Sequence, residues 1–463
     1  MTASANVFIF DDRVVGADGT VLHDRSPETV TDVVKLASWL KRKHGISGPT
    51  IWLLGAELAG RFGWLETPED IAATAETVHA SILTAFHTLD PNLIAEKRAY
   101  RFAVCRSWAR RDEVIAEIVV ARLAMITDGH RGVIDNLVTD DPETEIVKRV
   151  QWISTHLEIP ATGPGAGIGA RIAERLWRPL PEEGQWPLRD EDLTPTRLEP
   201  TTSWASSKVP RGGKLVVTDQ RRAVLAAMGT VHLGLGKPEY TRSGTNIDWT
   251  NKPPAALAEV TLPALSYLGI RPEFAIHPAQ KVDKPATAWV TTRTIEAMLA
   301  PTPDGGLGMD SGDLDIGATW VWPQTSQKLG TWAAAMRKAF ADADGDASIE
   351  AMLKEIYARY YSYVSSQYSR GSVHCQPLWS GIIRADLRAR ALRFAARTHA
   401  DTGLLPVAGV VDAWIYRLPA KEKTSVLEDE STNNGKYRVK ETYPHTPENW
   451  RELTRAAGQR RLP

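Results

Sequence analysis

The sequence predicts an α+β fold with a small α/β domain at its N-terminus, on three observations. Two Val-rich runs with strand character, Leu215–Val217 and Pro406–Tyr416, each carry an acid with them, Asp219 and Asp412. Two helical stretches, Leu329–Phe340 and Ile349–Ser366, lie between those runs and are joined by an acidic turn at 342–346. Ahead of all of them, the strand Val7–Phe10, a hairpin at Asp18-Gly19, a helix and the strand Thr50–Leu54 read as a small α/β unit.

In chain order, Ser26-Pro27-Glu28 places an N-cap serine and a first-turn proline ahead of a helix that runs to Lys43 and stops at Gly45. Pro68–Leu89 is a further helix and Tyr100–Cys105 a strand, whereas periodicity leaves Arg111–Met125 open between helix and long strand. Asp141-Pro142-Glu143 opens a helix through His156, with Ile146, Val150 and Ile153 on one face. The glycine run Gly163–Gly169 lacks the G-K-[ST] of a phosphate-binding loop and is expected to be a turn. Arg178–Gly213 is polar, Pro-rich and aperiodic, so it reads as a linker.

The second half begins with the strand ending in Thr218-Asp219 and a helix at Arg221–Met228. A loop is expected over Gly234–Asp248 and strands at Val260–Leu262, Ala288–Val290 and Asp315–Trp322, with a short helix at Thr294–Leu299. Asp342, Asp344 and Asp346 imitate a calcium loop, but Ala347 and Leu353 stand where its glycine and terminal glutamate belong, which excludes it. From Trp379 a basic helix carries Arg384, Arg388, Arg390, Arg393 and Arg397 between apolar residues, turns at Thr402-Gly403 and enters the strand interrupted by Asp412. After an exposed stretch at Lys421–Asn434, one strand is expected at Gly435–Tyr443 and one helix at Pro447–Ala457.

A carboxylate in an apolar strand is costly unless something positive sits on it. Taken alone, Asp412 reads as a strand-end acid that meets solvent or an arginine. A second acid in a similar setting points instead to a shared metal site, since two divalent ions about 3.5–4 Å apart clamp both oxygens in phosphoryl transfer. Mg²⁺ suits such a site because it prefers carboxylate oxygen and keeps its waters. On the helical pair, Arg337, Lys338, Lys354 and Tyr361 are placed to hold a triphosphate opposite the metals. The five arginines of the basic helix form a candidate DNA-phosphate patch around the same cleft.

Asp219, the helical pair with Lys354 and Tyr361, and then helix, strand and Asp412 follow one another in an order that resembles the palm, fingers and palm of family-B DNA polymerases, nearest to their protein-primed branch. The motifs of that family read D-x-x-S-L-Y, K-x-x-x-N-S-x-Y-G and Y-x-D-T-D-S. Asp219 falls on the first acid, Lys354 and Tyr361 on the Lys and Tyr of the second, and Asp412 on the second acid of the third. Val224, Ala358, Ser362 and Val410 stand where the family has Tyr, Asn, Gly and the first acid of the third motif. The pattern is similar to the degenerate, polymerase-like telomere-associated proteins of actinomycete linear replicons.

The resemblance implies a palm at 214–324 and 371–420, helical fingers at 325–370 and a reduced thumb and tail at 421–463, preceded by the linker 178–213 and an N-terminal domain at 1–177. That N-terminal domain lies in the position of a proofreading exonuclease, where the family's D-x-E is here Asp11-Asp12-Arg13, so Asp11 is expected to be a strand-end acid. The resemblance further implies a DNA-binding protein of DNA replication or end (telomere) maintenance, a nucleotidyltransferase with two Mg²⁺ ions on Asp219 and Asp412, and a terminal or priming protein as partner. The alternative is a DNA-binding scaffold that keeps the palm and has lost its chemistry.

Composition sets the bounds. A chain of 463 residues, 43% hydrophobic and 24% charged, is long enough for about two to four domains. Its net charge of −1 requires any nucleic-acid surface to be local. Two cysteines, Cys105 and Cys375, give neither a zinc site nor a disulfide framework, and the eleven histidines are scattered. No leader and no apolar run of membrane length is visible, so a soluble, cytoplasmic protein is expected.

Overall fold

In the computed structural model, the described residues are 6–64, 71–88, 90–98, 100–105, 114–121, 123, 132–137, 139–188, 195–207, 209, 212–429, 431, 433–457 and 461–462. The chain divides into two compact units, Met1–Ile172 with Lys338–Tyr360, and Ala173–Arg337 with Tyr361–Pro463.

The first unit is built on a seven-stranded sheet in the order β3-β2-β1-β4-β7-β6-β5. These strands are β1 (Asn6–Ile9), β2 (Val14–Gly16), β3 (Val21–His23), β4 (Thr50–Leu53), β5 (Ile94–Arg98), β6 (Arg101–Cys105) and β7 (Val114–Val120). β1, β4 and β7 run parallel at the centre, and every residue of β1 and β4 is buried, which is why both read as unbroken apolar runs. β7 settles the ambiguous stretch as strand; 111–113, 122 and 124–125 lie outside the described residues. The Val30–His44 helix is capped at Thr29 and not at Ser26. Thr29 and Asp32 satisfy each other's backbone donors in a capping box, which Ser26 has no partner residue to form. Of the helix expected over Pro68–Leu89, the described part is Ile71–His87.

The glycine run is not a turn. Gly165 to Leu176 is helical, and its glycines serve close helix packing. A Cβ on Gly169 would lie 2.5 Å from Cβ of Tyr360, and one on Gly165 would lie 3.3 Å from the Glu355 carbonyl oxygen. Tyr360 and Glu355 belong to the Ala347–Val364 helix, the second of the helical pair; the first is Lys328–Asp342. The boundary between the units crosses both helices, between Arg337 and Lys338 and between Tyr360 and Tyr361.

The second unit carries a six-stranded sheet in the order β18-β9-β17-β16-β8-β19. Its strands are β8 (Thr202–Ser206), β9 (Lys214–Gln220), β16 (Pro406–Val411), β17 (Ala413–Leu418), β18 (Tyr437–Pro444) and β19 (Arg461–Leu462). Two smaller sheets accompany it: β11-β14-β12-β13 and β10-β15. They comprise β10 (Leu233–Leu235), β11 (Glu239–Thr241), β12 (Ala255–Leu262), β13 (Ala286–Thr291), β14 (Ile316–Trp322) and β15 (Gln324–Ser326).

Several expectations change here. The stretch read as a linker supplies β8 and the buried Glu199; its residues 189–194, 208 and 210–211 lie outside the described residues. The loop expected over Gly234–Asp248 contains most of β10 and all of β11. The segment expected as thumb and tail adds β18 and β19 to the sheet. The single strand Pro406–Tyr416 is a hairpin, β16 and β17, that turns at Val411-Asp412. Among the described residues, no helix is long and apolar enough to cross a membrane.

The Pro377–Thr402 helix packs against one face of the six-stranded sheet and ends at Gly403, whose φ of 71° suits glycine. Trp414 Nε1 donates to the Ala391 carbonyl at 3.0 Å, and the Phe394 and Tyr437 rings stack with centroids 3.8 Å apart. Arg388, on the same helix, is 3% exposed and reaches Glu199, which is 0% exposed. Glu199 also accepts from the Thr291 amide at 2.7 Å, the Thr291 hydroxyl at 2.8 Å and the Thr294 hydroxyl at 2.9 Å. Arg388 donates further to the carbonyls of Pro200 and Ile276.

Removing one member of a buried ion pair strands the other, at a cost of about 3–5 kcal/mol. Arg388→Met should therefore lower the unfolding free energy by that amount in urea denaturation, with the slope unchanged. A loss under about 1 kcal/mol would show that the helix does not need this anchor.

Candidate active site

β-strand alternation decides which way Asp219 points. Val216 belongs to the apolar cluster shared with Ala391, Phe394 and Ala395 of the Pro377–Thr402 helix, and Thr218 Oγ1 donates to the Trp414 carbonyl. Leu215 and Val217 face the other way, into a cluster with Ile415, Ala408 and Leu453. Asp219 shares their side of the sheet, away from the helix.

Asp412 reaches the same end of the sheet by a different route. Val410 pairs with Ala413, so Val411 and Asp412 are the two residues of a tight hairpin turn. Val411 has φ of 60°, a conformation that β-branched residues resist and that such turns usually assign to Gly or Asn. Strain of this kind persists where surrounding contacts hold it. One such contact is the Tyr437 hydroxyl, which donates to the Asp412 carbonyl at 2.7 Å. On β17 and β9, Trp414 pairs with Thr218, so the next position along brings Ala413 level with Asp219 and leaves Asp412 just beyond.

The electrostatics agree with that placement. Burial pushes the Asp412 carboxyl above its ordinary value of 3.8, and the negative charge of Asp219 adds to the rise. A hydrogen bond from its own backbone and the charge of Lys440 pull it down. The buried Tyr437 hydroxyl is raised well above its ordinary value, by burial first and then by Asp412. Asp219 is compensated more directly. Arg438 on β18 pairs with it in register, and its Nε donates to Asp219 Oδ1 at 3.0 Å. Among the described residues, no group of three or more His, Cys, Asp or Glu is placed to hold a metal. A hard cation that keeps its waters and takes substrate oxygens would need protein oxygen from Asp219 and Asp412 alone.

The other expected site residues are placed as follows. Lys354 is exposed, on a helix whose Leu353, Ile356 and Tyr357 are buried, and belongs to the first compact unit. Lys338 is exposed and paired with Asp342 at 2.6 Å. Arg337, in the second unit, is exposed beside Gly229. Tyr361 is half-buried beneath the Arg384 guanidinium, 6.0 Å from ring centroid to guanidinium carbon, and burial raises its hydroxyl.

The arginine patch needs correcting. Arg388 is not on the surface but in the core, held by Glu199 because a buried guanidinium must have a carboxylate. Arg390 is bound to Asp386 at 2.6 Å and Arg397 to Asp429 at 2.6 Å, while Arg393 is exposed. Arg293 joins Arg390 on the buried Asp386. Arg390, Arg393 and Arg397 line hollows of about 600, 390 and 130 Å³ along their helix, together with Lys252, Arg293 and Lys436. The smallest of these hollows also takes in Gln220 and Tyr437, on the helix side of the sheet, whereas Asp219 points to the other side. Arg438, Lys440 and Tyr437 were missed, although the alternation of basic residues in Lys436–Lys440 marks a strand with one cationic face.

No protein-family model matches the sequence, and no curated protein matches it. Among solved structures, phi29 DNA polymerase complexed with primer-template DNA aligns with a TM-score of 0.51 at 10% identity, over 95% of this chain and 84% of the polymerase. Its ternary complex with primer-template DNA and incoming nucleotide substrates gives 0.51 at 11% identity, over the same shares. The chain has a DNA-polymerase-like fold.

Within that fold, Asp412 makes a prediction. A carboxyl pKa raised by folding means that the folded chain binds the proton more tightly than the unfolded chain. The stability it contributes is present below the ordinary value of 3.8 and is lost as pH rises through the raised one. With EDTA present, Asp412→Asn should be more stable than the unaltered chain at pH 7, and the gap should close on acidification. Denaturation across a pH series reads this out; a gap that widens toward acid contradicts the assignment.

Proposed function

We propose that this chain is a DNA-binding, polymerase-like protein that transfers nucleotidyl groups to a DNA end, in replication or telomere maintenance, with Asp219 and Asp412 as the Mg²⁺ ligands. One observation supports the reading: acids from separate segments lie toward one end of one sheet, near enough for the charge of Asp219 to help raise the Asp412 carboxyl. Bound Mg²⁺ would supply charge neutralisation at the transferring phosphoryl group. The chain's own part is to orient. β9 presents Asp219, the Val411-Asp412 turn presents Asp412, and Tyr437 holds that turn by its carbonyl.

Lys354, Arg337, Lys338 and Tyr361 are the proposed contacts for nucleotide, with Lys338 first having to leave Asp342. DNA backbone falls to exposed cations, Arg393 above all, with Arg384, Arg390 and Arg397 partly committed to Tyr361, Asp386 and Asp429. Such contacts position without specifying sequence. A terminal or priming protein is the proposed partner for starting synthesis, and the cytoplasm the proposed location.

A second reading, a DNA-binding scaffold without chemistry, is favoured by the Arg438 guanidinium on Asp219 and by Val410 in place of an acid. Primer extension with Mg²⁺ or Mn²⁺ separates the two. The active reading expects extension that Asp219→Ala or Asp412→Ala abolishes while DNA affinity is kept. DNA binding with no extension by the unaltered chain selects the scaffold. In either case, binding should weaken steeply with salt, and Arg393→Ala should lower the salt slope by about 1. No DNA binding at low salt overturns both.

A further inference from the structure

Asp219 and Asp412 are not equivalent. Asp219 Oδ1 accepts from Arg438 Nε at 3.0 Å, whereas Asp412 has no ion-pair partner among the described residues. The Arg438 contact is built into the sheet. β18 pairs with β9 over seven positions, and Arg438 stands directly opposite Asp219, so the two side chains leave the same face side by side. A ladder of this kind aims the guanidinium at the carboxylate wherever its outer atoms move. On the same strand, Lys440 is near enough for its charge to act on Asp412.

A pair of divalent ions needs more carboxylate oxygen than this site offers. Asp219 would have to give an oxygen to each ion, but one of its oxygens already serves Arg438. The residue ahead of the hairpin turn that might add a further carboxylate is Val410, which has no donor. What remains open is Asp412 together with the second oxygen of Asp219.

We propose that the Asp219–Asp412 site takes a single divalent cation and that Arg438 provides, as a fixed guanidinium, the second positive charge. The inference rests on the nucleotidyl-transfer reading. Arg438 is then a positioning and charge-supplying residue. Its side chain is 44% exposed, so an incoming phosphate oxygen can reach its remaining N–H groups while Nε keeps Asp219 in place. Because a guanidinium does not lose its proton near neutral pH, that charge is permanent, unlike a metal that exchanges with solvent.

The test counts Mn²⁺ ions on the full chain by calorimetry and by the loss of the free-ion signal in electron paramagnetic resonance, beside primer extension. The unaltered chain should bind one Mn²⁺, and Asp412→Ala should bind none. Arg438→Ala frees an oxygen of Asp219, so Mn²⁺ should bind about tenfold more tightly or at two ions per chain, yet extension should fall. Arg438→Lys should restore part of the extension. Two ions on the unaltered chain overturn the inference and leave the metal site standing. Tighter Mn²⁺ binding with faster extension in Arg438→Ala makes Arg438 an obstruction and overturns it too, as does Mn²⁺ binding unchanged by that substitution. No Mn²⁺ on any form overturns the nucleotidyl-transfer reading itself.

Discussion

Glu199 and Arg388 meet where water does not reach, and that pairing sets the position of most of what surrounds it. A carboxylate at 0% exposure survives only if its lone pairs are filled, and here two threonine hydroxyls, one backbone amide and the guanidinium fill them. The arginine in turn closes on backbone carbonyls at Pro200 and Ile276. Four separate segments are thus tied at one point: the lead into β8, the loop at Ile276, the start of the Thr292–Leu299 helix, and the Pro377–Thr402 helix. A pair of this kind adds less to stability than its contacts suggest, because desolvation offsets most of the attraction. Its use is to specify: the long helix has one rotation and one height in which the guanidinium finds its partners.

From that point the geometry runs outward to the carboxylates. Ala391 lies one turn beyond Arg388 and offers its carbonyl to Trp414. Phe394, another turn on, stacks on Tyr437, whose hydroxyl reaches the carbonyl of Asp412. Helix, sheet and turn are therefore linked by contiguous contacts from a buried charge to a half-buried one. The positive φ of Val411 belongs to the same chain of causes, since a turn that its own residues disfavour must be held by its neighbours.

Much of this was legible in the sequence, for identifiable reasons. Asp219 could be found because Leu215–Val217 is a plain apolar run and the acid sits at its end. The basic helix announced itself by arginines interleaved with apolar residues and by the turn at Thr402-Gly403, although it starts two residues earlier than expected, at Pro377. The hairpin at Asp412 did not, because Val411-Asp412 carries none of the Gly, Asn or Pro that mark a turn, so two strands looked like one. Gly163–Gly169 looked like a loop because glycine's need to approach Tyr360 closely depends on a residue far away in sequence. The same distance hid Glu199 in an apparent linker and let Arg388 pass for a surface charge. Burial of a charge is decided by tertiary partners, and no local pattern carries it.

The central claim is that Asp219 and Asp412, far apart in the chain, share one cation. With ascorbate and hydrogen peroxide added, Fe²⁺ placed in a Mg²⁺ site reduces the peroxide to hydroxide and a hydroxyl radical that cuts the backbone within reach of the metal, and mapping the cuts by mass spectrometry tests the claim most directly. The account predicts two clusters of cleavage, one around Asp219 on β9 and one at the Val411-Asp412 turn, both suppressed by excess Mg²⁺. Cleavage at only one of them, or at neither, would contradict it.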